Sequence, residues 1–146
     1  MSENKAAPTI LVVDDMGDNL VLMSLSLQGM GYRVLTANNG EDAVAFALIA
    51  RPNLILMDIA MPGLDGLAAA RRIREYAELR EVPIVAITAF ETDGFRRAAY
   101  DAGFDGYFTK PIDYERLNNL ITMLLTNKEG TVMRPAAKQN ETSLLQ

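Results

Sequence analysis

The sequence contains no cysteine and no histidine. The first absence excludes disulfide bonds and thiolate metal sites, and the second removes both the usual general base and any phosphohistidine of the chain's own. No apolar stretch reaches the roughly 18 residues of a membrane span, and the polar start MSENKAAP is unlike a signal peptide. We therefore expect a cytoplasmic protein without membrane contact.

The sequence also gives no sign of an extended basic surface. The net charge is −5 at pH 7 and the lysines and arginines form no stripe, so direct nucleic-acid binding is not expected. With 146 residues, 49% hydrophobic and 23% charged, the chain has the composition of one globular domain. A domain of this length buries about 68–70% of its unfolded surface without covalent staples.

Short apolar runs alternate with longer helical patterns along the chain. This alternation predicts an α/β fold, a parallel sheet wound on both faces by helices through right-handed crossovers. A loose arm is expected over residues 1–8, one domain over 9–126, and a tail without an output domain over 127–146. Strands are predicted at 9–13, 32–37, 54–57, 82–87 and 106–109, and helices at 18–30 (with Asp18 as N-cap), 41–50, 65–76, 92–102 and 113–125.

Chemically useful side chains follow four of these strands, namely Asp14 with Asp15, Asp58, Thr88 and Lys110. Parallel strands end at one edge of a sheet, so these side chains should converge there. Carboxylates a few ångströms apart repel by roughly 1–4 kcal/mol per pair, so a cation is required. Mg²⁺ suits oxygen ligands, and a carboxylate beside it can form an aspartyl-phosphate. The pattern therefore favours phosphoryl transfer to an aspartate.

Each of these residues also has a plainer interpretation. Asp14 and Asp15 could simply cap the helix that follows them. Asp58 could be a turn residue, and Lys110 a solvated surface charge. Their joint placement, one group after each central strand, favours the reactive site over these separate interpretations.

Four motifs in order carry a family resemblance: VVDD at 12–15, LMDIAMPGLDG at 56–66, TA at 88–89 and YFTKP at 107–111. The chain resembles the receiver domain of a two-component response regulator of the stand-alone kind, over roughly residues 8–126. The resemblance implies a flavodoxin-like (βα)5 sandwich with a five-stranded parallel sheet of order 2-1-3-4-5.

The resemblance also implies the chemistry. Asp58 would accept a phosphoryl group from a phosphohistidine on a sensor histidine kinase or phosphotransfer protein. Mg²⁺ would be bound by Asp14, Asp15, Asp58 and the backbone carbonyl of Ala60. Such a chain is a signalling phosphoacceptor that assists its own phosphorylation and dephosphorylation, and not an enzyme.

Three further residues match the residues of the family that respond to phosphorylation. Thr88 and Tyr107 would rearrange together, the hydroxyl moving toward the phosphate and the ring turning inward. Lys110 would contact the phosphate, and the bond from Lys110 to Pro111 is expected to be cis.

Ala60 and Phe90 lie at positions that vary within the family. Ala60, two residues after the phosphoacceptor, has no polar group to position an attacking water. Phe90, two residues after Thr88, is bulky and apolar. We expect this pair to shield the phosphoryl group and slow its hydrolysis.

The first helix carries no charge between Asp18 and Arg33 and is apolar on more than one face. An outer-layer helix is normally apolar along one stripe only. We expect Leu20, Val21 and Leu25 to point outward as the docking site of the kinase's helical hairpin; the alternative is a helix covered by its neighbour, the last helix. The residues expected to face the sheet are Leu22, Met23, Leu27 and Met30.

A second candidate surface lies on the fourth helix, fifth strand and last helix. By resemblance it would signal to an unknown downstream protein or form a homodimer, and the alternative is an ordinary solvated face. Its residues are Arg96, Arg97, Tyr100, Asp101, Glu115 and Arg116.

Other classes fit the sequence less well. A phosphohydrolase of the haloacid dehalogenase type places its nucleophile after the first strand in a DxD pattern, whereas this chain has Asp14-Asp15-Met16. A degenerate receiver used as a scaffold would have lost at least one key residue, and none is lost. A nucleotide-binding role lacks a Gly-rich phosphate loop.

Overall fold

The computed structural model of the protein describes residues 6–59, 61, 65–89 and 93–130, with side chains as far as Thr126. Most of the expected arm, Ala60, Phe90 and the tail from residue 131 lie outside the described residues. The strands are β1 (Thr9–Val13), β2 (Arg33–Ala37), β3 (Leu54–Asp58), β4 (Ile84–Thr88) and β5 (Gly106–Thr109), and the helices are α1 (Gly17–Gly29), α2 (Gly40–Ala50), α3 (Gly66–Arg74), α4 (Asp93–Ala102) and α5 (Tyr114–Gly130).

The five strands form one parallel sheet of order β2-β1-β3-β4-β5. This is the doubly wound, flavodoxin-like topology that the sequence predicted. Helices α1 and α5 cover one face, and α2, α3 and α4 cover the other. No helix within the described ranges has the length and apolar character that crossing a bilayer would require.

The continuous apolar runs of the central strands supply two cores at once, because successive side chains of a strand point to opposite faces. In β3, Leu54 and Leu56 join the core beneath α1 and α5, whereas Ile55 and Met57 join the core beneath α2, α3 and α4. All four side chains are fully buried. The absence of polar alternation in this run is thus the signature of a strand covered on both faces.

Polar groups fix the pairing of β1 with β3 at the amino edge of the sheet. The backbone N–H of Asn53 donates to the Thr9 carbonyl at 2.8 Å, and the Thr9 N–H donates to Asn53 Oδ1, also at 2.8 Å. From this start the strands run in register to the pair of Val13 with Met57. Asp14 directly follows β1, and Asp58 is the last residue of β3.

A buried ion pair closes another part of the amino edge. Arg74, at the end of α3, lies 2.8 Å from Asp105, which precedes β5, and their side chains are 18% and 4% exposed. The guanidinium also donates to four backbone carbonyls, and Asp105 accepts the backbone N–H of Ile84 at 2.9 Å. The four carbonyls belong to Leu79, Arg80, Val82 and Gly103.

Several element boundaries differ from the sequence prediction. Helix α1 begins at Gly17 with Met16 as N-cap, so Asp18 lies in the first turn and is not the cap. A short 3-10 turn at Ala77–Leu79 was not predicted. Helix α5 continues past the predicted end at Leu125 as far as Gly130, because NKEG contains no residue that stops a helix before its glycine.

The faces of α1 also differ from the expectation. Met23 and Leu27 are buried against the sheet, as predicted, and Met30 is packed against the same core. Leu22, expected to face the sheet, is 58% exposed, and Leu20, expected to point outward, is partly buried against that core. The predicted assignment of these two leucines is wrong, because a helix that is apolar on several sides does not reveal its inner face by spacing.

Candidate acidic site at the carboxyl edge of the sheet

Three carboxylates meet where β1 and β3 end. Asp14 is 2% exposed and Asp58 6% exposed, while Asp15 is exposed to solvent. The three residues each offer a carboxylate oxygen within 4.8 Å of the others. The convergence that the strand ends predicted is therefore present, and it places two nearly buried acids beside one that faces solvent.

Lys110 enters this cluster from the end of β5. Its Nζ lies 3.2 Å from Asp14 Oδ2 and 3.3 Å from Asp58 Oδ2, so one ammonium bridges the two buried acids. Burial opposes the charged form of the lysine, but attraction by Asp58 and Asp14 outweighs it and raises the pKa of Lys110 above its usual value. The lysine is therefore a fixed positive charge at neutral pH.

The loop geometry brings Lys110 to this position. Its backbone N–H donates to the Thr88 carbonyl at 2.9 Å, which continues the pairing of β5 with β4 beyond the strand end. The bond from Lys110 to Pro111 is cis, as the resemblance implied. The last residue of β4 and the lysine are thus tied together through the backbone.

Asp14 is held by two contacts besides the lysine. The backbone N–H of Met16 donates to its Oδ1 at 2.9 Å, and the amide of Asn19 donates to its Oδ2 at 3.3 Å. Asn19 was missed by the sequence interpretation. The available signal was an amide side chain in the first turn of a helix that directly follows two acids.

Thr88 and Tyr107 both lie inside the structure. Thr88 is fully buried at the end of β4, and Tyr107 on the adjacent strand β5 is 1% exposed. The guanidinium carbon of Arg96 lies over the Tyr107 ring, 5.1 Å from its centroid, which is a cation–π contact. The ring is therefore in an inward position with a cation on its face.

Gly66 explains part of the motif that follows Asp58. A Cβ at this position would overlap the backbone of Asp58 and Ile59, so a side chain cannot be placed there without displacing the end of β3. Asp65 caps α3 by accepting the Ala68 N–H at 2.9 Å. The Asp65-Gly66 pair thus starts α3 close beneath Asp58.

The donor set fits a hard divalent cation. All three clustered groups are carboxylates, the ligand type that Mg²⁺ prefers, and a single ammonium contacts two of them. The excess of negative charge would be offset by such an ion. The acidic cluster could therefore hold a metal.

Of the three residues expected to form the docking site, two are on the surface. Val21 is 60% and Leu25 63% exposed, and Leu20 is excluded by its packing. Met16 and Leu22, which are 56% and 58% exposed, extend this apolar surface along α1. We call Met16, Val21, Leu22 and Leu25 the α1 patch.

A doubly wound sheet with acids, a threonine and a lysine at its carboxyl edge defines the receiver class. Residues 10–122 match the model of the response regulator receiver domain, and the chain belongs to this family. The family is one of signalling phosphoacceptors of two-component systems.

Known relatives include both separate and built-in receivers. The chain is 40% identical over 121 residues to protein PilH of Pseudomonas aeruginosa, covering 80% of this chain and 96% of PilH. It is 38% identical over 129 residues to the signal transduction histidine-protein kinase BarA of Escherichia coli (strain K12), covering 88% of this chain but spanning only 14% of the kinase.

Among solved structures, the chain is similar to the receiver domain of sensor histidine kinase PA1611 from Pseudomonas aeruginosa. The identity is 36%, the TM-score 0.78, and the match covers 83% of this chain and 99% of that one. That receiver has a magnesium ion coordinated in its active site cleft.

Proposed function

We propose that Asp58 is the phosphoacceptor of this receiver and that Lys110, Thr88 and Tyr107 respond to its phosphorylation. The observation that carries the proposal is the Lys110 ammonium, which bridges Asp14 and Asp58 at 3.2 and 3.3 Å. A cation fixed between two nearly buried carboxylates is already placed where the charge of a phosphoryl group would develop.

The transfer is a displacement at phosphorus. A carboxylate oxygen of Asp58 forms the new bond to phosphorus while the bond from phosphorus to the donor imidazole nitrogen breaks, and that nitrogen keeps the electron pair. Lys110 neutralises charge on the transferred group, and the Thr88 hydroxyl donates to one of its oxygens. Positioning and charge neutralisation are the main requirements of this reaction, so few groups suffice.

The cofactor would be Mg²⁺, held by the side chains of Asp15 and Asp58 and by the backbone carbonyl of Ala60, with Asp14 reaching it through water. When bound, it would offset the negative charge of the acids and of the phosphoryl oxygens. The chain's own residues prepare the site: Met16 and Asn19 hold Asp14 in place, and the exposed Asp15 leaves one side open to solvent.

The donor is a phosphohistidine on a sensor histidine kinase or phosphotransfer protein, and the encounter takes place in the cytoplasm. The α1 patch is the docking surface for the donor's helical hairpin. Its support is position, because α1 begins directly after the acidic pair and presents Val21 and Leu25 one turn apart on an exposed face. An exposed apolar surface of this kind commonly marks an interaction site.

The surface of α4, β5 and α5 changes on phosphorylation and then binds a downstream protein or a second copy of the chain. Phosphorylation adds about −1.5 to −2 charges beside Thr88, whose carbonyl accepts the Lys110 N–H. A movement of Thr88 is therefore transmitted to β5, where Tyr107 forms the inner side of that surface.

Ala60 and Phe90 slow the hydrolysis of the phosphoryl group on Asp58. Neither side chain offers a polar group that could orient an attacking water, and water positioning is what general acid–base groups contribute to such a hydrolysis. Both residues lie outside the described part of the chain, so the proposal stands on their sequence positions.

Incubation with Mg²⁺ and acetyl phosphate, followed by intact mass spectrometry, tests the proposed function. Wild-type protein should gain one phosphoryl group and Asp58→Asn none. Asp42→Asn, at a half-buried acid in the first turn of α2, is the matched control and should be phosphorylated like wild type. Phosphorylation of Asp58→Asn would show that another residue is the acceptor.

A further inference from the structure

Asn19 is a polar residue at the start of an otherwise apolar row of α1. Met23 and Leu27 follow it at steps of four residues, and both of these side chains are buried against the sheet. Residues four apart lie on the same face of a helix, so the packing of Met23 and Leu27 turns Asn19 toward the sheet as well. Because α1 begins at the carboxyl edge, the half-buried Asn19 amide lies beside Asp14.

Protein donors engage most of the Asp14 carboxylate. Its Oδ1 accepts the Met16 N–H at 2.9 Å, and its Oδ2 accepts both the Asn19 amide at 3.3 Å and the Lys110 ammonium at 3.2 Å. An ionised carboxylate has about four lone-pair positions, divided equally between its two oxygens. Both positions of Oδ2 are therefore filled, and the position left on Oδ1 suits a hydrogen bond from a water molecule.

Asp15 differs from Asp14 in this respect. Its side chain is exposed, and within the described ranges its carboxylate accepts no hydrogen bond and forms no ion pair. An incoming cation can therefore approach either oxygen of Asp15. Asp14, in contrast, is restrained to one orientation and offers one oxygen only.

We propose that Asn19 is a positioning residue that makes the acidic cluster selective for Mg²⁺ over Ca²⁺. By filling Oδ2, its amide keeps Asp14 from displacing water and binding a cation through both oxygens. Mg²⁺ retains several waters in near-octahedral geometry, whereas Ca²⁺ takes about 6–8 oxygens and often both oxygens of one carboxylate. A restrained Asp14 therefore suits the smaller ion. This inference rests on the proposed function, because it takes the acidic cluster to be the Mg²⁺ site.

The amide of Asn19 adds a hydrogen bond to the cluster without adding charge. Three carboxylates and one ammonium leave two negative charges, which a single divalent cation balances. A lysine or arginine at position 19 would also donate to Asp14, but its charge would weaken the attraction for that cation. A neutral donor restrains Asp14 and leaves the electrostatic attraction for the ion intact.

Lys110 alone would not restrain Asp14 in this way. Its ammonium is shared between Asp14 and Asp58, and its long, flexible side chain can follow the carboxylate when it rotates. Asn19 is fixed by the packing of α1, because Met23 on the same face is 3% exposed. Loss of a group that orients an acid beside a metal typically lowers the metal affinity about 10–100-fold.

The test is a titration of unphosphorylated protein with Mg²⁺ and, separately, with Ca²⁺, followed by the backbone amide chemical shifts of Asp15 and Ile59. In Asn19→Ala we expect the dissociation constant for Mg²⁺ to rise about tenfold. The constant for Ca²⁺ should change by less than about twofold, because a second oxygen of Asp14 becomes available to this ion. Gln28→Ala is the matched control, since it removes an amide from an exposed position in the last turn of the same helix.

Gln28→Ala should bind both ions like wild type, and the thermal midpoint without added ions should stay close to wild type in both variants. Three results would overturn the proposal: an equal loss of affinity for both ions in Asn19→Ala, unchanged affinity for both, or no binding of Mg²⁺ by wild type. The first would indicate a general structural role of Asn19, and the second that Met16 and Lys110 suffice to hold Asp14. The titration uses no phosphoryl donor, so its outcome is independent of whether Asp58 is phosphorylated.

Discussion

The two edges of the sheet each place one cation among acidic or carbonyl oxygens, but the balance of charge around that cation differs. At the amino edge, Arg74 faces one carboxylate and four backbone carbonyls, so charge is balanced and each nitrogen has a partner. At the carboxyl edge, the Lys110 ammonium faces a cluster of three carboxylates, and the balance is negative.

The difference is between a closed ion pair and an open acidic cluster in one fold. A closed, neutral network such as the Arg74–Asp105 pair gains nothing from a further ion. The open cluster around Asp58 has a deficit of positive charge that a metal ion could fill. The two edges should therefore respond in opposite ways to mutation and to added cations.

The largest effect on stability is expected at the amino edge. Arg74→Ala would leave the nearly buried Asp105 without its cation, and breaking a buried pair in this way costs about 3–5 kcal/mol. Urea unfolding should show a loss of this size, whereas Arg72→Ala, at an exposed position of the same helix, should change little. A loss of less than about 1 kcal/mol in the free energy of unfolding would mean that the Arg74–Asp105 pair does not stabilise the fold.

Added Mg²⁺ should have its effect at the carboxyl edge alone. At about 100 times its dissociation constant, an ion that binds only the folded state raises the free energy of unfolding by ~2.7 kcal/mol. We expect the same gain in wild type and in Arg74→Ala, because distant sites act additively, and a much smaller gain in Asp58→Asn. A gain that disappears in Arg74→Ala would show that the edges are coupled.

The next effect concerns the α1 patch beside the carboxyl edge. Val21→Glu with Leu25→Glu should slow phosphotransfer from a kinase by about thirtyfold, because charges placed in an apolar contact commonly cost ~2 kcal/mol. Phosphorylation by acetyl phosphate and the thermal midpoint should stay close to wild type, since both side chains are exposed.

Ala45→Glu with Ile49→Glu is the matched control for this patch. These residues are one turn apart on the exposed side of α2, with Ile49 82% exposed. The control should transfer normally. An equal defect in both double variants, or a large drop in stability for Val21→Glu with Leu25→Glu, would favour a structural role of α1.

The smallest effect is expected for the lifetime of the phosphoryl group. Phe90→Glu introduces a polar side chain two residues after Thr88, where it could orient water, and should shorten the lifetime several-fold. The decay of phosphorylated protein by intact mass spectrometry provides the measurement, with Phe90→Leu as the apolar control. A longer lifetime in Phe90→Glu would refute the shielding role.

Much of the fold could be read from the sequence because the strands are buried on both faces. Runs such as Leu54 to Met57 mark central strands without ambiguity, and the residues after them mark the carboxyl edge. The site followed from the same rule, since Asp14, Asp58 and Lys110 are brought together by topology and not by any local pattern.

The features that escaped the sequence depend on tertiary contacts. Leu20 and Leu22 exchange their expected roles because α1 is apolar on several sides, so spacing alone cannot choose the buried one. The Arg74–Asp105 pair joins residues 31 positions apart, and arginine near a helix C-terminus ordinarily reads as a solvated charge. Asn19 is visible only once the start of α1 is known to face Asp14.

The mutual hydrogen bonds of Asn53 and Thr9 set the register of β3 against β1. Leu54, Ile55, Leu56 and Met57 are similar in size and polarity, so a slip of β3 by one residue would exchange similar side chains between the two cores while carrying Asp58 out of the acidic cluster. Burial alone thus distinguishes poorly between the two registers. The five-residue distance from Asn53 to Asp58, counted from a polar contact at the far edge, is what delivers the carboxylate to its cation.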